Sequence, residues 1–158
     1  MFLFAANLIF AQGLIENGDT RFNAGLGFST WGLPVYVGMD FGVYKDITVG
    51  GELSFRSYHD RIVGVEYSHS IIGIIANGNY HFNRVLAIPN EWDVYAGLDI
   101  GFYVWNSDKS YTGSGASGLG LGAQIGGRYY FNNKVGINLE VGGGNSTSSG
   151  KIGITVNF

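Results

Sequence analysis

No cysteine occurs among the 158 residues, so disulfides and thiolate metal sites are excluded. Proline is nearly absent, at 2 residues. Charge is scarce too: Lys, Arg, Asp and Glu make up 13% of the chain, about half the share of an ordinary soluble domain. A surface bathed by water needs more charge than that, so part of this surface is expected to face something else. The next absence is a long apolar run. No stretch reaches the ~18 residues that a membrane helix requires. Any crossing of a bilayer would then need a closed barrel, because in hydrocarbon every backbone N–H and C=O must find an internal partner. The net charge of −3 offers no basic footprint for nucleic acid, which is not expected as a partner.

What the chain does have is glycine and aromatics: 27 Gly, 11 Phe, 10 Tyr and 3 Trp, with 46% hydrophobic residues. The length suits one domain. Residues 1–11 stand apart. Phe2-Leu3-Phe4 and Leu8-Ile9-Phe10 form a short apolar segment, and Phe10-Ala11-Gln12 resembles a cleavage site. This reads as the remnant of a secretory signal peptide, cut near Ala11 and lacking its basic start. Residues 12–158 are then the single domain.

Beyond Thr20 the hydrophobic period is two. Phe22, Ala24, Leu26 and Phe28 alternate with Asn23, Gly25, Gly27 and Ser29. Similar runs start at Val35, Thr48, Ile72, Trp92, Leu119, Gly136 and Lys151. Strict alternation predicts strands with one apolar and one polar face, and no run shows the 3.6 period of a helix. Eight strands result, most near the ~9–11 residues that a tilted span needs. Tyr44-Lys45-Asp46 and Phe131-Asn132-Asn133-Lys134 read as tight turns, whereas residues 59–66, 106–117 and 144–150 read as longer polar loops. Short turns at one end and long loops at the other is the barrel pattern. Residues 83–91, with Pro89, are long for a turn at the short end.

Charges at strand positions fall on one face: Asp40, Glu52, Arg56, Asp93, Asp99, Arg128, Glu140 and Lys151. The same face carries many glycines. In a soluble barrel the polar face meets water, but glycine there would only weaken strands. Small residues beside a few long ion-paired ones would fill an eight-stranded interior. The charged face is therefore assigned to the lumen and the apolar face to lipid. Buried ions require partners, so Asp40, Glu52, Arg56, Asp99, Arg128, Glu140 and Lys151 are expected to form a lumen ion-pair network. Its expected role is to plug and rigidify the barrel; the alternative is a gate that opens a narrow pathway. Aromatics sort to one level. Phe22, Phe41, Tyr80, Phe82, Trp92, Tyr129 and Phe131 would line the periplasmic rim of the lipid face as an interfacial girdle. A thinner outer girdle would hold Phe28, Phe55 and Phe102.

The last strand, Lys151-Ile152-Gly153-Ile154-Thr155-Val156-Asn157-Phe158, ends on an aromatic. With Tyr129-Tyr130-Phe131-Asn132-Asn133-Lys134 and the alternation above, residues 20–158 resemble the small bacterial outer-membrane β-barrels of the OmpA/OmpX-like type. The resemblance implies an all-β, eight-stranded antiparallel up-and-down transmembrane β-barrel with its N-terminus in the periplasm. It also implies that Ile154, Val156 and Phe158 form the signal read by the outer-membrane assembly machinery.

Motifs for chemistry are few. Tyr67-Ser68-His69-Ser70 with Glu66 contains the types of an acyl-transfer site. Neighbours in a strand point to opposite faces, so no catalytic residue is assigned. His59, His69 and Asp60 match no zinc spacing, and His81 is expected at the other end; no metal is assigned. The glycine runs near residues 113–122 precede no helix that would bind phosphate, and no cofactor is expected. Asn145-Ser146-Thr147 fits a glycosylation sequon by chance. The functional expectation is a monomeric outer-membrane barrel with a structural, adhesion or surface-interaction role. Its partners would be outer-membrane lipids including lipopolysaccharide, the assembly machinery, and an extracellular ligand met by loop residues such as Tyr58, Tyr67, Trp105 and Tyr111. The alternatives are a narrow pore and a lipid-modifying enzyme.

Overall fold

The computed structural model describes residues 13–29, 32–62, 65–107, 117–144 and 150–158, with the backbone alone for 58–62, 65–69 and 107. The expected signal remnant, Tyr111 and the sequon at Asn145 lie outside the described residues, as do the side chains of Tyr58, His59, Asp60, Glu66, Tyr67, Ser68 and His69.

The strands are β1 (Thr20–Phe28), β2 (Val35–Tyr44), β3 (Ile47–Ile62), β4 (Val65–His81), β5 (Trp92–Ser107), β6 (Gly118–Tyr130), β7 (Val135–Gly144) and β8 (Gly150–Asn157). Each pairs antiparallel with its sequence neighbour, and β1 pairs with β8, so the sheet closes. Closure leaves no sheet edge within the cylinder to seek a partner. The period-two pattern sets the register of every seam, because a slip of one residue would exchange the two faces. On β6, Leu119, Leu121 and Ile125 point outward while Gln124, Arg128 and Tyr130 point inward. Leu98 is 70% exposed, whereas Tyr95, three residues earlier and on the opposite face, is 1% exposed.

The two ends differ. At one, the turn end, short connections join β2 to β3 and β6 to β7, and both described chain termini lie there. The β4–β5 connection is longer. Asn83 organises it: its Nδ2 donates to the Trp92 carbonyl (2.5 Å) and its Oδ1 accepts from the Val94 amide (3.0 Å). At the other, the loop end, the structure corrects the expected loop over residues 59–66. β3 and β4 stay paired as far as Ile62↔Val65, although β2 leaves β3 at Val35↔Phe55. Residues 56–62 thus rise beyond β2 by roughly 20 Å at the usual advance per residue. β5 follows β4 to His69↔Ser107, past its last pairing with β6 at Tyr103↔Gly118. Polar residues on both faces hid these strand ends from a pattern based on one apolar face.

Candidate functional site in the barrel lumen

The interior is polar. Arg21, Arg56, Asp93, Arg128, Thr48, His81 and Thr155 are nearly or wholly inaccessible, and the apolar residues Leu53, Ile74, Leu119, Leu139 and Ile154 are more than half exposed. Every described Asp, Glu, Lys and Arg side chain within a strand is on the lumen side.

The charges gather in two clusters at different heights. The cluster nearer the turn end centres on Asp93 of β5. Arg21 Nη1 from β1 and Arg128 Nη1 from β6 donate to its Oδ2 at 2.5 and 2.9 Å. His81 Nδ1 from β4 lies 2.7 Å from Oδ1. A carboxylate only accepts, so that nitrogen carries the proton, and in the neutral ring Nε2 accepts from the Thr48 hydroxyl at 3.1 Å. The second arm of Arg128 reaches Asp40 Oδ2 at 2.6 Å, which also accepts from Asn23 Nδ2 at 2.9 Å. Two guanidiniums face two carboxylates here, and the cluster is balanced in charge.

Nearer the loop end, Lys151 Nζ of β8 sits between Glu52 Oε2 (2.8 Å) and Glu140 Oε1 (2.9 Å). Glu140 and Lys151 are direct cross-strand partners, whereas Glu52 reaches across from β3. Tyr95 links the two clusters. Its hydroxyl donates to Glu140 Oε2 at 3.0 Å, and its ring lies 4.4 Å from the Arg128 guanidinium carbon.

Of the residues assigned to one network from sequence, the structure places Asp40 and Arg128 in the first cluster and Glu52, Glu140 and Lys151 in the second. Asp99 makes none of these ion pairs; it is half-buried and lines a cavity of ≈ 20 Å³ with Ile75, Tyr103, Gln124, Glu140 and Lys151. Arg56 stands at the loop end and donates to Ser29 Oγ at 2.8 Å. The network read from sequence omits Asp93, which sits at the centre of the first cluster, together with Arg21, His81 and Thr48. The inward direction of Arg21 is legible in the sequence, since it precedes Phe22 and shares the parity of Asn23 on the lumen face.

Chemically the arrangement holds rather than reacts. Thr48, His81 and Asp93 have the order of a nucleophile set, but Thr48 is 1% exposed and Asp93 is shared with two arginines. No substrate atom can approach that hydroxyl. The lumen cavities lined by the two clusters measure ≈ 20 Å³ each, room for about one water. An eight-stranded interior is just wide enough for side chains such as these.

No protein-family model matches the chain, and no curated protein matches it. Solved structures do. OprG, an outer membrane protein of Pseudomonas aeruginosa, superposes with a TM-score of 0.67 at 11% identity, over 93% of this chain and 99% of that one. Neisserial surface protein A gives 0.57 at 13% identity, over 88% and 93%. The Yersinia pestis outer membrane protein Ail in a phospholipid bilayer nanodisc gives 0.57 at 11%, over 90% and 100%. The fold is that of the small outer-membrane β-barrels.

On the outward side of this barrel, aromatic rings gather near the turn end. Trp92 and Tyr129, paired across β5 and β6, have ring centroids 4.8 Å apart, and Phe131 meets Tyr129 edge-on at 5.6 Å. Tyr80 and Phe82 pack edge-on at 5.1 Å. Phe41 and Phe22 lie at the same end, opposite Thr20 and Met39 respectively. In the last strand Ile154 points outward and Phe158 is 81% exposed, with Val156 half-buried between them. Inside, Ile71, Ile75 and Tyr103 form a small apolar cluster near the loop end, with Trp105 packed against it.

Proposed function

We propose that this chain is an integral outer-membrane barrel whose lumen is a plug and whose work is done at its loop end, in a structural or surface-interaction role. The supporting observation is the inverted polarity. Paired ions are buried inside, and large apolar side chains such as Leu26, Leu53, Leu98, Leu121, Leu139 and Ile154 face outward. In water such an exterior would exceed the apolar patch that a soluble monomer tolerates. In hydrocarbon it is the stable arrangement. The fold shared with outer-membrane proteins supports the bacterial outer membrane as the location. By the usual asymmetry of such barrels the turn end, and with it the N-terminus, faces the periplasm. The paired extension of β3, β4 and β5 then stands above the outer leaflet as the surface that an external partner meets.

Lipopolysaccharide and phospholipid are the proposed lipid partners, and Ile154, Val156 and Phe158 the proposed assembly signal. No enzymatic role is proposed, because the hydroxyl–imidazole–carboxylate set is inaccessible. The test is fractionation of the host followed by gel electrophoresis of unheated and heated samples. A heat-modifiable band in the outer membrane is expected, and a soluble band that heating does not shift would refute the reading. Planar bilayers test the plug: many insertions without unitary current are expected, and steady conductance steps would make the chain a pore.

A further inference from the structure

Just before β1 the chain does not run straight off the barrel. A tight turn over Glu16, Asn17, Gly18 and Asp19 reverses it. The Asp19 amide donates to the Glu16 carbonyl (3.3 Å), and the Glu16 amide to Asp19 Oδ2 (2.9 Å). Gly18 takes φ +95°, which the third position of such a turn demands and a side chain would strain. The reversal lays residues 13–16 against the turn end. The Gly13 amide donates to the Asn90 carbonyl (2.6 Å), and the Asp46 amide donates to the Ile15 carbonyl (3.4 Å). The β2–β3 and β4–β5 connections are thereby tied together at that mouth.

Two arginines hold this segment. Arg21, already paired with Asp93 in the lumen, reaches the carbonyls of Gly13 (3.5 Å) and Leu14 (3.3 Å) with Nη2. Arg84, from the β4–β5 connection, donates to the Ile15 carbonyl (3.1 Å) and to Asp46 Oδ1 (2.8 Å) and pairs with Glu16. The hydrogen bonds that Arg84 donates to Glu16 and Asp46 raise its guanidinium above its ordinary value, so Arg84 stays charged throughout any useful pH range. Ile15 is 0% exposed, although it lies outside every strand. Space for side chains is refused on both flanks. A Cβ on Gly13 would stand 2.0 Å from the Trp92 carbonyl oxygen, and one on Gly42 would stand 2.0 Å from that of Glu16.

We infer that residues 13–19 are a strap that closes the turn end of the barrel, with Ile15 as its stopper and Arg21 and Arg84 as its latches. The strap shuts the lumen from solvent on that side and shares Arg21 with the charge cluster above it. Residues 13–16 can lift without unfolding the cylinder, because their bonds to Asn90, Asp46 and Arg84 are not rungs of the sheet, whereas Gly18 and Asp19 stay anchored by backbone bonds to Gly42 of β2 (2.8 Å each). Opening it would expose the face of the Arg21–Asp93–His81 cluster to water.

The chain has no cysteine of its own, so a single Ile15→Cys in the full chain, refolded into phospholipid vesicles, reports the strap. The probe is a small water-soluble maleimide, with Val85→Cys (68% exposed at the same end) as the open control. Ile15→Cys is expected to label far more slowly than Val85→Cys. Adding Arg84→Ala should speed Ile15→Cys labelling by about tenfold, since charge-assisted hydrogen bonds to the strap are lost. The unheated gel mobility of a folded barrel should persist. Equal labelling of the two cysteines in folded barrels would overturn the strap. If Arg84→Ala does not fold, amide hydrogen exchange of the unaltered chain decides. The Gly13, Gly18 and Asp46 amides should exchange slowly, and free exchange there alongside protected strands would equally overturn it.

Discussion

Replacing Lys151 by Met removes one charge and keeps most of the volume of the side chain. Its ammonium stands 2.8 Å from Glu52 and 2.9 Å from Glu140, and the side-chain exposures of the three are 12%, 8% and 11%. At an effective dielectric constant near 20, each contact is worth roughly 5–6 kcal/mol of Coulomb energy. Desolvation offsets a large part, and removing one partner of a buried pair costs about 3–5 kcal/mol net. Two carboxylates are left facing each other, so the upper part of that range is expected. The assay is urea unfolding of the barrel in lipid vesicles, followed by tryptophan fluorescence and analysed by linear extrapolation. Neutralising the whole set with Glu52→Gln, Glu140→Gln and Lys151→Met should recover most of the loss, because no uncompensated charge remains. A Lys151→Met barrel within about 1 kcal/mol of its parent would show that the glutamates reach water and that the lumen is not sealed.

Tyr95→Phe removes the hydroxyl that joins the clusters and leaves the ring under Arg128; it should cost about 1.5–3 kcal/mol, because Glu140 is charged, in the same unfolding assay. Asp99→Asn, half-buried and outside the ion pairs, should change stability by less than about 0.5 kcal/mol. Leu98→Arg, on the outward face at 70% exposure, should cost about 2–4 kcal/mol in bilayers, and an unchanged midpoint would place Leu98 away from lipid. Phe158→Ala should leave refolded stability within about 0.5 kcal/mol, since the ring is 81% exposed. In cells it should lower the fraction that reaches the heat-modifiable form, and an undiminished yield would remove Phe158 from the assembly signal.

The alternation of single residues made the cylinder legible. Leu119, Leu121 and Ile125 against Gln124 and Arg128 give β6 its two faces directly, because a strand has no third direction in which to point a side chain. The same rule put Asp40, Glu52, Arg128, Glu140 and Lys151 inside. It could not say at what height each would sit. Height depends on the stagger of eight seams, and Glu52 finds Lys151 across the barrel rather than along a strand. The grouping into two clusters therefore emerged only in three dimensions. The extension of β3 and β4 was hidden for a different reason. Residues 56–61 carry polar or amphipathic types at both parities, so the period-two contrast that marks a strand disappears. The strap was invisible because residues 13–19 have no periodicity; backbone hydrogen bonds and two arginines from elsewhere hold it.

The account stands on which medium touches the outer face. Single nitroxide labels on cysteines replacing Leu98, Leu121 and Leu139, read by electron paramagnetic resonance in bilayers, address it directly. Collision with oxygen dissolved in the hydrocarbon, and little collision with a water-soluble nickel chelate, is the predicted result at all three. Ready collision with the chelate at these sites in the folded barrel would contradict it.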